Sequence, residues 1–255
     1  MKTMKTPIGF LDSWTCRFGV ESLDSVQLDA SPVLHSFPPE GIMFCDEDGR
    51  QTRLDRAGIE SVMSCTWACH LLLEDQRLLA EREFWAFPPP VSPSTPFGNV
   101  PSSVDAGCDE MLRCGGFLYD SVFVRRIGVV DGVDIGLGLF TTRPVAKGTF
   151  LGEYVGVMTR RTCEEDGLYG FSLPVVDPDL VVDAKKFGNL CRLINHSDDD
   201  WNAELMSVHH EGLLHVLCRA TRDLMPEEQV LIHYGKRYWM PEARRRVRLG
   251  HALDT

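Results

Sequence analysis

Short runs of β-forming residues, each ended by glycine, proline or aspartate, occupy the chain from Gly116 onward. Residues 117–127, 150–158, 213–220 and 230–234 are rich in the β-branched, aliphatic and aromatic side chains that favour strands. Strands this short, alternating with turns, predict a compact and mostly β domain built from small twisted sheets. No internal repeat is visible in this part of the sequence.

A different pattern precedes this region. Apolar residues recur at spacings of three and four, which predicts one amphipathic helix over about residues 56–85. Residues 88–107 are rich in proline, glycine and serine, and predict a linker or a long surface loop. The expected divisions are a partly helical N-terminal accessory region at 1–115, a β domain at 116–240 and a C-terminal helix or tail at 241–255.

The net charge of the chain indicates which kinds of molecule it can bind. The 255 residues carry a net charge of −11, which disfavours direct nucleic-acid binding and favours a basic protein or peptide. No apolar run has the length of a membrane-spanning helix, and the first residues lack the apolar stretch of a secretory signal. We therefore expect an intracellular protein, nuclear or cytoplasmic, with no membrane partner. The sequence leaves the oligomeric state open, a dimer included.

Nine cysteines occur without a single Cys-x-x-Cys pair. An odd number at irregular spacing indicates reduced thiols rather than a disulfide framework. Cys65, Cys69 and His70 lie close together in sequence, but their apolar surroundings predict small buried side chains on a helix rather than zinc ligands. We expect no metal site.

Two later segments concentrate small, amide and aromatic side chains, a mixture typical of a ligand site. They are Phe-Gly-Asn-Leu-Cys-Arg-Leu-Ile-Asn-His-Ser at 187–197 and His-Tyr-Gly-Lys-Arg-Tyr-Trp at 233–239. Upstream lies Gly-Leu-Gly-Leu-Phe at 136–140. A dinucleotide-binding fingerprint would need a third glycine where Thr141 stands and a helix after it, so that interpretation fails.

In their order and spacing these segments resemble the SET domain, the fold of many protein-lysine methyltransferases. The resemblance covers residues 116–240. It implies a mostly β SET-type fold of short twisted sheets, in which the segment with Asn195 and His196 threads a loop made by the C-terminal motif, a rare exception among protein folds. It also implies S-adenosylmethionine as the cofactor and a lysine ε-amine as the methyl acceptor.

The resemblance assigns roles to individual residues. It implies Tyr234 as the catalytic hydroxyl and Tyr154 as its partner in the lysine channel. Aromatic walls suit such a channel, because they accept both the aliphatic stem and the cationic head of lysine. The cofactor-binding candidates are Gly136, Leu137, Gly138, Tyr169, Asn195, His196 and Trp239.

Two positions depart from the family pattern. Asp198 stands where many relatives carry cysteine, and no Cys-x-Cys cluster follows Trp239, so the zinc-binding element that often closes such domains is absent. Ile232 stands where an aromatic residue often helps set the number of methyl groups added. The degree of methylation therefore stays open.

The leading functional interpretation is an S-adenosylmethionine-dependent protein-lysine N-methyltransferase that acts on histone tails, and hence a chromatin regulator. Two alternatives stay open. One is a methyltransferase of a non-histone protein, such as a host protein if the chain is a microbial effector. The other is a catalytically inactive SET-like module that binds partners, although the motif glycines, Asn195, His196 and Tyr234 are all intact.

Overall fold

Strands dominate the architecture, which confirms the predicted mostly β fold of short sheets. The computed structural model describes residues 21–22, 37–74, 119–130, 132–160, 168–173, 180–210, 213–235 and 238. The predicted linker at 88–107 and the predicted C-terminal helix at 241–255 lie outside these residues. Within them, no helix is long and apolar enough to cross a membrane.

One sheet joins the N-terminal segment to the start of the β domain. Its strands, in spatial order, are β3 (Gln51–Leu54), β2 (Ile42–Cys45), β6 (Val122–Arg126) and β9 (Leu137–Thr141). Strand β2 runs parallel to β6, with Phe44 opposite Val124, and β6 pairs antiparallel with β9. Residues before and after the undescribed segment 75–118 thus share one hydrogen-bonded sheet.

A five-stranded sheet also contains strands from both parts of the chain. Its strands, in spatial order, are β1 (Glu21–Ser22), β5 (Leu72–Leu73), β11 (Val157–Arg160), β13 (Leu180–Asp183) and β12 (Gly170–Ser172). Strand β11 pairs with β5 on one side, in parallel, and with β13 on the other side, antiparallel. Gly156 precedes β11 where a side chain is excluded, because a Cβ atom would lie 2.4 Å from the carbonyl oxygen of Asp183.

The remaining strands form one three-stranded sheet and three strand pairs. The sheet consists of β10 (Phe150–Glu153), β17 (Leu213–Ala220) and β16 (Ala203–His210). The pairs are β4 (Thr66–Trp67) with β14 (Phe187–Gly188), β7 (Val129–Val130) with β8 (Val133–Asp134), and β15 (Asn195–His196) with β18 (Leu231–Ile232). Two short 3₁₀ helices, η1 (Tyr119–Ser121) and η2 (Leu190–Leu193), complete the elements of this region.

The predicted helix over 56–85 is wrong in extent, because the α-helix α1 covers only Arg56–Met63. Asp55 caps its start by accepting a hydrogen bond from the backbone N–H of Gly58 at 2.8 Å. Ser64, in the left-handed conformation with φ 53°, ends it. The apolar residues that follow serve β4 and β5 instead, and residues 75–85 lie outside the described residues.

The spacing of apolar residues misled here because this segment is buried on more than one side. Cys65 and Cys69 are buried, as expected, but they lie beyond the end of α1 rather than on a helix. Burial on both faces of a strand produces a run of apolar residues that a helical stripe can imitate. Sequence periodicity alone does not separate the two.

The main hydrophobic cluster contains residues from both parts of the chain. Trp67 is fully buried and meets the ring of Phe37 edge-on, with centroids 5.0 Å apart. Its ring also lies 6.0 Å from that of Tyr119, across the undescribed segment. The same cluster contains Leu151 and Val216 from the β domain. Residues 37–74 therefore contribute to the core that supports the site described below.

We expect Trp67→Ala to lower the free energy of unfolding by about 3–5 kcal/mol, because it removes the largest fully buried side chain of this core. Urea denaturation followed by circular dichroism measures the loss. Val129→Ala, at a side chain with 69 % exposure, serves as the control and should change stability little. A loss below about 1 kcal/mol for Trp67→Ala would contradict the shared core.

Candidate active site

Four tyrosines converge on one cavity of about 280 Å³. Three of them, Tyr154, Tyr169 and Tyr234, are site residues predicted from the sequence, and Tyr238 is the fourth. The other lining residues come from the β12 segment, the segment around η2, the start of β16 and the end of β18. They are Leu168, Gly170, Phe171, Cys191, Arg192, Ile194, Trp201, Ala203, Glu204, Leu205, Ile232 and His233.

Tyr234 is held at three points. Its hydroxyl donates a hydrogen bond to the carbonyl oxygen of Ile194 at 2.7 Å, and its backbone N–H donates to Nδ1 of His196 at 3.1 Å. Its ring meets Tyr238 edge-on, with centroids 4.5 Å apart. Gly235 follows with φ 83°, a conformation that favours glycine. The backbone therefore changes direction at Gly235, directly after Tyr234.

Tyr154 lies directly after β10. Its backbone N–H donates to the carbonyl oxygen of Val216 at 2.7 Å, and its hydroxyl donates to the carbonyl oxygen of Tyr169 at 2.5 Å. Tyr154 and Tyr234 therefore share one arrangement, in which a backbone carbonyl takes the phenolic hydrogen. A phenol oxygen whose hydrogen is engaged keeps its lone pairs as acceptors. Both oxygens can accept from a donor in the cavity.

Burial favours the neutral form of three cavity tyrosines, Tyr154, Tyr234 and Tyr238. Burial raises the pKa of Tyr154 well above its ordinary value, and the nearby Tyr234 adds to the effect. Burial likewise raises the pKa of Tyr234 and of Tyr238. At physiological pH these groups therefore act as phenols and not as phenolate bases.

Arg192 is a site residue that sequence reasoning did not assign. It is buried, and its guanidinium lies 4.0 Å from the ring centroid of Tyr169. Its Nε donates to the carbonyl oxygen of Ala184 at 2.9 Å, and Nη1 donates to that of Met63. Arg192 thus joins the end of α1, the turn after β13 and the cavity wall. Its place three residues before Asn195 was the only sequence signal, and the partners are distant in sequence.

The imidazole of His196 supports Tyr234. Its Nε2 lies 3.1 Å from Oδ1 of Asp198, and because a carboxylate only accepts, Nε2 carries the hydrogen. In the neutral ring Nδ1 is then the acceptor for the Tyr234 N–H, while the carbonyl oxygen of Ile232 lies 3.2 Å away. Both ring nitrogens are engaged within the protein. A bound molecule could meet His196 only at its backbone or at its ring face.

The predicted glycine motif lies beside the cavity rather than in its lining. Asn195 connects the two, because its Nδ2 donates to the carbonyl oxygen of Leu137 at 2.9 Å. Gly136 adopts φ 75°. At Gly138 a Cβ atom would lie 2.7 Å from Cδ1 of Ile127. The conformation of Gly136 and the packing around Gly138 thus both favour glycine. The Leu137 residue between them is bonded to Asn195.

Asn202 fixes the segment after His196. It is buried, and its Nδ2 donates to the carbonyl oxygen of Gln229 at 2.8 Å and to Oε1 of Glu228 at 3.1 Å. Its Oδ1 accepts from the N–H of Leu231 at 2.9 Å. Together with the parallel pairing of β15 and β18, these bonds hold the C-terminal motif against the Asn195–His196 strand.

Trp239, the remaining predicted site residue, lies outside the described residues. Within the described ranges, no group of three or more His, Cys, Asp or Glu side chains could hold a metal ion.

Comparison with known proteins identifies the region that carries this site. The SET domain family matches residues 136–235 of this chain. The chain is 30 % identical over 126 residues to histone-lysine N-methyltransferase ash1 of Drosophila melanogaster, covering 44 % of this chain and 6 % of that protein. It is 33 % identical over 108 residues to the H3 lysine-4 specific histone-lysine N-methyltransferase of Cryptococcus neoformans, covering 39 % and 7 %. The chain spans only a small part of the length of these relatives.

A solved structure is similar to part of this chain. The Chaetomium thermophilum polycomb repressive complex 2 in an autoinhibited conformation bound to S-adenosylmethionine is 24 % identical, with a TM-score of 0.42. The similarity covers 55 % of this chain and 18 % of that one.

We expect Asn202→Leu to lower the free energy of unfolding by about 2–4 kcal/mol, because it leaves the Leu231 N–H and the Gln229 carbonyl without their partner. Urea denaturation provides the measurement. The matched control is Leu205→Asn, a change of similar size on β16 at a side chain with no hydrogen-bonding duty. It should cost less than Asn202→Leu, and the reverse order would show that the amide does not clamp the motif.

We also expect stability to fall as the pH rises above about 10, the pKa of tyrosine in an unfolded chain. Folded-state pKa values above that value mean that the unfolded chain ionises first, so the contribution is complete below pH 10 and is lost on the way to the folded-state pKa. Urea midpoints at several alkaline pH values measure the slope. Tyr154→Phe and Tyr234→Phe should each flatten it, and a slope equal to that of the parent protein would contradict the raised pKa.

Proposed function

We propose that this chain transfers a methyl group from S-adenosylmethionine to the ε-amine of a lysine in a basic protein, with histone tails as the leading substrate class. The SET domain at residues 136–235 supports the reaction class. The observation that carries the proposal is the convergence of Tyr154, Tyr169, Tyr234 and Tyr238 on one cavity beside the Asn195–His196 strand.

The residues around the cavity fit the proposed cofactor. When bound, S-adenosylmethionine supplies a methyl group on a positively charged sulfur, and an amine can attack that methyl. Oxygen acceptors suit a neighbouring positive charge, and the hydroxyls of Tyr154 and Tyr234 present such oxygens. Asn195 uses its Nδ2 on Leu137, and its Oδ1 takes no hydrogen bond from the described residues, which leaves an amide acceptor for a ligand. Gly136 to Gly138 would hold the cofactor from the neighbouring strand.

Aromatic walls fit a lysine side chain. Tyr169 and Phe171 come from the β12 segment and Tyr238 from the C-terminal motif, so the stem would lie between apolar ring faces. Ring faces also attract an ammonium group before it loses its proton. A lysine that entered between these rings would lose water, which raises the cost of a charged amine relative to a neutral one.

Arg192 favours the neutral amine further. Its guanidinium lines the same cavity, and a fixed positive charge lowers the pKa of an amine nearby. The neutral phenols cannot take the lysine proton, and the only carboxylate in the cavity lining is Glu204. The proton would therefore leave to water before the amine attacks.

Tyr234 is assigned the catalytic hydroxyl and Tyr154 the facing channel wall. Both phenol oxygens are oriented by carbonyl acceptors, and both backbone N–H groups are bonded, that of Tyr154 to Val216 and that of Tyr234 to His196. An acceptor fixed in this way can orient the amine lone pair and stabilise the polarised methyl without reorganising during the reaction. The choice of Tyr234 over Tyr154 for the catalytic role rests on the resemblance of its segment to the SET-domain motif.

The substrate class rests on charge and on relatives. The net charge of −11 suits a basic partner, and the matched relatives are named as histone-lysine methyltransferases. Non-histone proteins with basic segments would satisfy the same charge, and a fold does not name its substrate. A catalytically inactive module would instead bind such segments without methyl transfer.

Methyl transfer from labelled S-adenosylmethionine to histones and to cell lysate tests the proposal. Tyr234→Phe should lower the rate by about 100-fold while cofactor binding by calorimetry persists, because the hydroxyl acts on the reaction more than on ground-state binding. Mass spectrometry of the labelled lysate would then separate histone from non-histone targets.

Tyr119→Phe is the matched control, since Tyr119 is half-buried outside the cavity lining and the substitution removes the same hydroxyl. It should keep the parent rate. Absence of labelling by the parent protein in both substrates, or full activity of Tyr234→Phe, would contradict the proposed function. Cofactor binding without any transfer would favour the inactive module.

A further inference from the structure

The cavity has an exposed end that the proposed reaction does not use. Most of its lining residues are buried or half-buried, but Trp201 and His233 are exposed. Glu204, on β16, has a side chain that is 42 % exposed and also lines the cavity. We call Trp201, Glu204 and His233 the cavity mouth. A peptide whose lysine entered the channel would pass this mouth with its neighbouring residues.

Trp201 is unusual within this group. An indole with 44 % exposure gains little from burial and would ordinarily be avoided at a surface. Its neighbour Asn202 is buried and clamped, so the backbone that carries the indole is fixed. A rigid, exposed aromatic face beside a cavity offers area to a ligand without a large loss of conformational entropy.

The carboxylate of Glu204 is held in place by Arg219. Both contacts, from Nε at 3.1 Å and from Nη2 at 2.5 Å, go to the same oxygen, Oε1. The second oxygen, Oε2, receives no bond from Arg219 and keeps its acceptor capacity. Because both side chains are partly exposed, this ion pair contributes little to stability.

The segment that carries Trp201 and Glu204 is acidic. The segment 198–204 carries four carboxylates, on Asp198, Asp199, Asp200 and Glu204, and no basic residue. Arg219 offsets one of them. The remaining excess attracts a cation toward Trp201.

We propose that the cavity mouth binds an arginine that neighbours the target lysine in the substrate, with its guanidinium stacked on Trp201 and hydrogen-bonded to Oε2 of Glu204. This inference rests on the proposed function and adds a sequence preference to it. A guanidinium is planar and weakly hydrated, so it can stack on an indole and present N–H groups to a carboxylate in the same plane. An ammonium can make the charge contact but has no face to stack. The substrate class is therefore a peptide with adjacent arginine and lysine.

The test uses lysine-centred peptides of alanine and glycine, in which one arginine replaces alanine at each neighbouring position in turn. Two quantities are measured, kcat/KM with labelled S-adenosylmethionine and peptide affinity by fluorescence anisotropy. The parent protein should prefer arginine over alanine by about tenfold at one position. Lysine at that position should give a smaller preference.

Trp201→Ala and Glu204→Gln should each reduce the ratio of arginine to alanine peptide several-fold, and Trp201→Phe should keep part of it. Glu204→Gln should also weaken the dependence of the ratio on salt. Matched controls are Met225→Ala, at an exposed apolar side chain outside the cavity, and Glu47→Gln, at a surface carboxylate paired with Arg126. Both controls should keep the ratio of the parent protein.

The outcomes separate this inference from the proposed function. Methylation of peptides without an arginine preference, or a preference that survives both Trp201→Ala and Glu204→Gln, would overturn the arginine site alone. Absence of methyl transfer from every substrate would overturn the proposed function. In that case the affinity ratio still decides whether the mouth selects arginine.

Discussion

The parallel pairing of Asn195–His196 with Leu231–Ile232 is the constraint on which the site depends. Two residues per strand make too few hydrogen bonds to persist alone, and a pair this short needs support from its surroundings. Asn202 supplies this support, because its side chain donates to the carbonyl oxygen of Gln229 and accepts from the backbone N–H of Leu231. With the pair fixed, the phenol of Tyr234 lies within reach of the Ile194 carbonyl, 40 residues earlier in the chain. The catalytic candidate is thus positioned by bonds between distant segments rather than by its own strand.

Arg192 extends the same dependence to the N-terminal segment. A buried guanidinium must have its N–H groups satisfied, and here carbonyls from Met63 and Ala184 accept two of them while Tyr169 faces the cation. The end of α1 is therefore part of the support of a cavity wall. The sequence around Met63 contains no catalytic motif, but loss of its packing would release Arg192 and with it Tyr169. A buried guanidinium keeps the segments that carry its carbonyl partners in fixed relative positions, because leaving any of these groups without a hydrogen bond is costly.

The parts of the site that could be predicted from the sequence are those whose signal is local. Tyr154, Tyr169 and Tyr234 occur in short segments of distinctive composition, and the structure brings all three to one cavity. Arg192 and Asn202 were missed as supports because their partners lie far away in sequence. The helix expected over 56–85 failed for a related reason, since the apolar residues after Met63 are buried by strands that a local pattern does not reveal. The roles of Gly136, Gly138 and Asn195 toward a cofactor remain predictions, now with a structural reason for each residue.

The distribution of charge along the cavity gives the proposed reaction a direction. Carboxylates cluster in segment 198–204, which carries Trp201 and Glu204 of the cavity mouth, whereas the lining residue Arg192 is buried. A lysine would be attracted as an ammonium at the mouth and would become less stable in that form as it approached Arg192 and lost its water. The phenols between them are neutral, so they neither hold the ammonium as phenolates would nor take its proton. An amine that reaches Tyr234 is therefore favoured in the neutral form that can attack a methyl group, and the channel needs no carboxylate base at its buried end.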